Sequence, residues 1–220
     1  QKKTILSCDI GGGTSNIALT KNGEILSTSC ISVGGRVLGV NAEGIIWRID
    51  KPALKVMQHL GLNYKVGDQI SKKDSQKIAG TLAQALFEVI RGRAKSTLAR
   101  QLMLNDDVVF PTRIDEYSFS GGVAELMYGG INNYDDIGQI LADQIKLLTP
   151  KLSGSVVELP NKIRATVIGA GAYSLSISGC SGFRDDKISF PIKNVPVIRV
   201  DIDQSTLSSK NIVMKLNVSF

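Results

Sequence analysis

An acid, three glycines and a hydroxyl stand almost in a row near the start of the chain, as Asp9-Ile10-Gly11-Gly12-Gly13-Thr14. These residue types suit the handling of phosphate. Three consecutive glycines let the backbone take positive φ and approach a ligand with no Cβ in the way. Successive N–H groups in such a turn can converge into a nest for an anion. Thr14 and Ser15 add hydroxyl donors, and Asp9 sets a carboxylate where it can hold Mg²⁺ through water or orient an attacking water. On these residues alone, a plain glycine hairpin with Asp9 as a turn residue has equal standing, because Gly-rich turns are common.

The flanking residues say what must position this cluster. Residues 5–10 and 15–19 are mostly apolar runs and predict two strands joined by the glycine turn. Lys21-Asn22-Gly23-Glu24 is a second turn, and residues 25–33 predict a third strand ending at Gly34-Gly35. Its poor alternation predicts a strand covered on both faces. Residues 40–50 carry a short period-2 run through Ile45, Trp47 and Ile49, a hairpin arm. Pro52 opens a helix that Gly61 closes. Ser71 and Asp74 are both N-cap candidates for a longer helix whose stripe is Ile78, Leu82, Leu86, Val89 and Ile90, with Gly92 breaking it before Leu98 and Leu102.

Two strand-then-glycine elements follow. In the first, residues 116–120 lead through Gly121-Gly122 into a short helix over 123–128 that stops at Gly129-Gly130; a helix over 135–148 then ends at Thr149-Pro150. In the second, residues 163–168 lead into Gly169-Ala170-Gly171 and then more strand. From residue 179 the pattern is short β segments around Pro191 and Pro196, which predicts a lobe over 1–178 and a β-rich arm over 179–220, or the start of a further region.

Composition narrows the function classes. With 220 residues and 43% hydrophobic content the chain can bury a real core. A net charge of +6 is too mild to argue for nucleic acid. Arg91, Arg93, Lys95 and Arg100 cluster without interleaved aromatics and read as a solvated face. Cys8, Cys30 and Cys180 lack C-x-x-C spacing, which favours reduced thiols and a cytoplasmic protein. No run approaches a membrane span, and the lone His59 leaves no Cys/His metal constellation. Trp47 and His59 read as packing residues.

Taken together, the Asp9–Thr14 hairpin, the third strand ending at Gly34-Gly35 and the Phe119-Ser120-Gly121-Gly122-Val123-Ala124-Glu125 element resemble the second lobe of the actin-like ATPases, the superfamily of actin, sugar kinases and DnaK-type chaperones. Further motifs fall in order: Val33-Gly34-Gly35-Arg36, Asp136-Ile137-Gly138, residues 163–172 and residues 191–197. With these the chain resembles the EutA family, the reactivating factors of ethanolamine ammonia-lyase. That likeness implies an α/β, ribonuclease H-like lobe: a mixed sheet with an antiparallel meander, flanking helices and a β-rich C-terminal arm. It implies an ATP- and Mg²⁺-dependent, chaperone-like release of damaged cobalamin from the lyase, in the cytoplasm or at a bacterial microcompartment. An N-terminal lobe carrying the first phosphate loop would be missing, so this chain would hold at most half a nucleotide site.

The resemblance also implies residue roles. Asp9 is the catalytic and metal-linked carboxylate. Gly11, Gly12, Gly13 and Thr14 bind phosphates, and Gly34 and Gly35 divide between nucleotide contact and sheet packing. Gly121 and Gly122 lie against adenosine, with Glu125 near the ribose; Gly169 and Gly171 form a rival adenosine loop. A carbohydrate or acid kinase lobe and a non-catalytic actin-like scaffold are the alternative readings, with neither nucleic acid nor membrane as partner.

Overall fold

The computed structural model describes residues 3–110, 113–130 and 134–160. In chain order its elements are β1 (Thr4–Ile10), β2 (Ser15–Lys21), β3 (Glu24–Ile31), β4 (Leu38–Val40), β5 (Ile46–Ile49), α1 (Lys51–His59), α2 (Lys72–Ile90), α3 (Thr97–Leu102), β6 (Glu116–Ser120), α4 (Gly122–Met127), α5 (Gly138–Leu148) and β7 (Ser155–Val157). The main sheet has the order β3-β2-β1-β6-β7, while β4 and β5 pair separately. β1, β2 and β3 form an antiparallel meander, and β6 and β7 continue it in parallel. A meander extended by parallel strands and flanked by helices is the mixed α/β arrangement expected from the sequence.

Register follows from burial. Leu6 lies opposite Leu19 and beside Tyr117, and Cys8 lies opposite Ile17 and beside Phe119. All six side chains are buried on one face. Each fully buried large apolar side chain contributes about 1.5–3 kcal/mol, and a one-residue slip would turn the whole strip over. Burial also pushes the Cys8 thiol up, with the Asp9 charge adding to it. Asn22 and Gly23, at φ 55° and 88°, supply the mirror-image turn that matches strand twist between β2 and β3.

The poor alternation of the third strand has another cause than burial on both faces. β3 is the sheet edge: Ile25 is 68% exposed, and only Ser29 and Ile31 are buried. Its second half is covered by the segment after α3. There the Leu104 N–H donates to the Cys30 carbonyl at 2.9 Å, the Val109 N–H to Ser27 Oγ at 3.0 Å, and Ser29 Oγ to the Asp106 carbonyl at 2.8 Å. These bonds occupy polar groups that an open edge would offer to another chain.

The helices begin where side chains can satisfy their first N–H groups. Ser71 Oγ accepts from the Asp74 N–H at 3.1 Å to start α2. The Asp74 carboxylate in turn accepts from Lys77, Tyr64 and Ser71, which lower its pKa to about 2. Ser96 caps α3 in the same way. Glu88, near the end of α2, accepts the Lys95 and Ser96 N–H groups at 2.6 and 2.7 Å. Burial raises the Glu88 carboxyl, but these amides outweigh it and hold it below its ordinary value. α2 buries the expected stripe and packs on α5, which packs on α4. The chain passes through Pro150 in one further tight turn and enters β7, a strand the sequence pattern does not show. Arg91, Arg93, Lys95 and Arg100 are exposed around the α2–α3 turn, and His59 is exposed at the end of α1. The expected strand at 163–168, the Gly169–Gly171 loop and the β-rich arm lie outside the described residues. Among the described residues no helix is long and apolar enough to cross a membrane.

Candidate functional site

β1 and β6 run parallel with Asp9 beside Ser120, so the turns that leave them emerge at one edge of the sheet. The first turn closes with the Gly11 N–H on the Thr14 carbonyl at 2.9 Å, leaving Gly12 and Gly13 exposed at its tip. None of the three glycines takes positive φ. What the turn needs is close approach. The Gly11 carbonyl accepts from the Gly35 N–H at 3.1 Å, and the Gly12 carbonyl from the Arg36 N–H at 2.6 Å. A Cβ on Gly34 would stand 2.5 Å from the Gly12 carbonyl carbon, and one on Gly35 would stand 2.8 Å from Gly138 Cα. Gly34 and Gly35 therefore brace the loop from behind, and the Gly35 N–H is committed to it.

The second turn comes against the first. Gly121 has φ 88°, a conformation that L side chains rarely adopt, and it starts α4. A Cβ there would run into the Ile10 carbonyl oxygen and stand 2.5 Å from Asp9 Oδ1. Only a glycine lets β6 turn into α4 beside the half-buried Asp9 carboxylate. Gly122 then faces open space, with nothing within 4 Å of an added Cβ.

Together these turns line a niche of about 80 Å³. Gly11 and Gly12 come from the first turn, Gly35 and Arg36 from behind it, and Gly122, Val123 and Leu126 from the start of α4. Tyr134, Asp136 and Gly138 complete it ahead of and at the start of α5. The volume is well under the roughly 300–1,000 Å³ of small-molecule pockets. It fits a part of a ligand.

The sequence-predicted residues divide accordingly. Gly11, Gly12, Gly35 and Gly122 meet at the niche, with Asp9 and Gly121 packed against each other beside it. Gly13 is at the exposed tip. The Thr14 hydroxyl faces the Cys30 thiol, whose pKa burial raises and this contact partly lowers. Ser15 is structural: its Oγ donates to the Val33 carbonyl at 2.8 Å and ties the hairpin to the segment behind it. Glu125 does not line the niche, and a Cβ on Gly130 would stand 2.8 Å from its Cγ. No cluster of three or more metal-ligating side chains occurs among the described residues. Mg²⁺ is commonly held by one or two carboxylates with substrate phosphates, so the Asp9 carboxylate is compatible with it.

Three polar side chains of the niche were not among the site residues expected from sequence: Arg36, Tyr134 and Asp136. The Arg36 guanidinium lies 5.9 Å from the Tyr134 ring centroid, and its Nε is 3.7 Å from Asp136 Oδ2. Asp136 Oδ1 accepts from the Gly138 N–H at 2.7 Å. The β4–β5 arm holds this segment in place. Trp47 Nε1 donates to the Asp135 carbonyl at 2.6 Å, and the Ile137 N–H to the Leu38 carbonyl at 3.2 Å. Val33-Gly34-Gly35-Arg36 and Asp136-Ile137-Gly138 are motifs of the resemblance, and that was the signal that could have found two of the three.

Residues 1–219 match the family described as ethanolamine utilisation protein EutA. The chain is 34% identical over 197 residues to the ethanolamine ammonia-lyase reactivase EutA of Salmonella typhimurium, covering 88% of this chain and 42% of that protein. It is 32% identical over 207 residues to the protein of the same name from Escherichia coli, covering 92% and 44%. The chain thus spans less than half the length of these curated relatives. Among solved structures, the pCBH ParM non-polymerisable quadruple mutant overlaps 80% of this chain and 48% of its own at a TM-score of 0.39 and 16% identity. The chain belongs to the EutA family.

Proposed function

We propose that this chain is a nucleotide-binding lobe of an ATP-dependent reactivating factor, which acts on ethanolamine ammonia-lyase in the cytoplasm and releases damaged cobalamin from it. The observation that carries the nucleotide reading is the meeting of two glycine turns at one niche, with Gly121 packed on the Asp9 carboxylate where no Cβ fits. The residues fit ATP with Mg²⁺: Gly12 and Gly13 expose backbone at the loop tip, and the open face of Gly122 gives a flat surface for adenosine. Asp9 would orient metal-bound or attacking water, and Gly12 and Gly13 would hold the phosphates with backbone N–H groups, that of Gly11 being bound to the Thr14 carbonyl. Bound Mg²⁺ would neutralise charge developing on the phosphates. Residues 1–178 form the lobe in this reading, and 179–220 an arm or the start of a further region.

A niche of about 80 Å³ cannot enclose a nucleotide, so a second lobe completes the site. Closure of two lobes around ATP would bias the lyase between closed and cofactor-exchanging states. Family membership favours this reading over a carbohydrate kinase lobe. The test uses the full-length protein with cobalamin-inactivated lyase. ATP should restore lyase activity, and Asp9→Asn should lower ATP turnover at least about a hundredfold while changing ATP affinity less than about tenfold. Nucleotide-independent reactivation, or an Asp9→Asn protein with normal turnover, would refute the proposal.

A further inference from the structure

Arg36 supplies the only positive charge among the described residues that line the niche. Its position is set twice over. The backbone N–H is bound to the Gly12 carbonyl at 2.6 Å, and a Cβ on Gly12 would come 3.3 Å from Arg36 Cβ. The arginine stem therefore runs directly beside the glycine turn. Its head is held more loosely. The Nε–Asp136 separation of 3.7 Å exceeds the roughly 2.7–2.9 Å of a charge-assisted hydrogen bond. The Arg36 side chain is 47% exposed, whereas that of Asp136 is 6% exposed. Asp136 and the Tyr134 ring thus keep a guanidinium at the wall of the niche without locking its donors, and a guanidinium fork matches phosphate geometry.

We propose that Arg36 is a specificity-determining residue that reads the phosphate charge of the nucleotide held by the glycine turn. This rests on the nucleotide reading above and goes beyond the glycine and aspartate roles. The opposing view is that Arg36 only staples Asp136, and thereby the start of α5, to the loop. The two differ in which ligands they affect. A phosphate reader matters for ATP and ADP and leaves adenosine alone; a staple affects all three alike.

The test is calorimetric titration of full-length protein with ATP, ADP and adenosine. Arg36→Gln keeps the stem over Gly12 and removes the charge, and Arg36→Lys keeps a charge without the fork; a thermal melt of each variant accompanies the titrations. Arg36→Gln should weaken ATP and ADP about tenfold or more and adenosine less than about twofold, with Arg36→Lys in between. Equal losses for all three ligands, or no loss for ATP, would overturn the assignment. Should Arg36→Gln not fold, Arg36→Lys decides: a selective loss for the phosphorylated ligands supports the proposal, and ATP affinity that is unchanged or falls in step with adenosine overturns it. Wild-type protein that binds none of the ligands would overturn the nucleotide reading itself and this inference with it.

Discussion

Adjacent glycines have opposite jobs at this site. Gly121 takes a left-handed backbone and abuts the Ile10 carbonyl and the Asp9 carboxylate, whereas Gly122 faces open space. Gly121→Ala should therefore destabilise the protein by more than about 2 kcal/mol, since φ 88° with ψ 176° is an essentially glycine-only conformation that alone costs another residue about 1–3 kcal/mol. A Cβ on Gly122 has no protein atom within 4 Å, so Gly122→Val should stay within about 1 kcal/mol of wild type in urea denaturation. In the full-length protein it should nonetheless weaken ATP binding, because its side chain enters the niche. A folded Gly122→Val protein with unchanged ATP affinity would show that adenosine lies elsewhere. The glycine motifs were legible in sequence because contact with backbone demands glycine. Arg36, Tyr134 and Asp136 were not legible as a cluster, since about 100 residues separate the first from the others and no period or spacing reports such a meeting.

The start of α2 and the β1–β2 hairpin were readable because each rests on a local rule, a capping side chain or a turn residue, whereas α5 begins at Gly138 with no side-chain cap, three residues later than expected. Elements whose pattern is set from elsewhere were not. In β3 the weak alternation marks an exposed edge, and the cover over its second half arrives from beyond α3. β7 has three residues, too few to show a period, and exists by pairing with β6. The start of α2 offers a local test. Asp74 has a folded pKa of about 2 against an ordinary value of 3.8, so its contribution to stability is full above pH 3.8 and is lost as pH falls through about 2. Asp74→Asn should melt below wild type at pH 6, with the gap closing between pH 4 and 2. A gap of constant size over that range would mean that the carboxylate charge contributes nothing.

At the scale of the whole chain, the site stands where the local half of the sheet meets the distant half. β1, β2 and β3 join through short turns, but β6 reaches β1 only across a long excursion: Ser118 Oγ donates to Ser7 Oγ at 3.0 Å over a separation of 111 residues. Closing such a loop costs chain entropy before any contact repays it, and non-local pairing of this kind slows folding. Pulse-labelled hydrogen exchange during refolding should show amides between β1 and β2 protected before those between β1 and β6. Simultaneous protection would contradict this order. Contact between Asp9 and Gly121 then belongs to the final closure of the chain, and a ligand needing both turns can bind only molecules that have completed it. Nucleotide at a hundred times its dissociation constant would stabilise that closed species by about 2.7 kcal/mol. Its binding would accordingly report, molecule by molecule, that the two ends of a 111-residue detour have found each other.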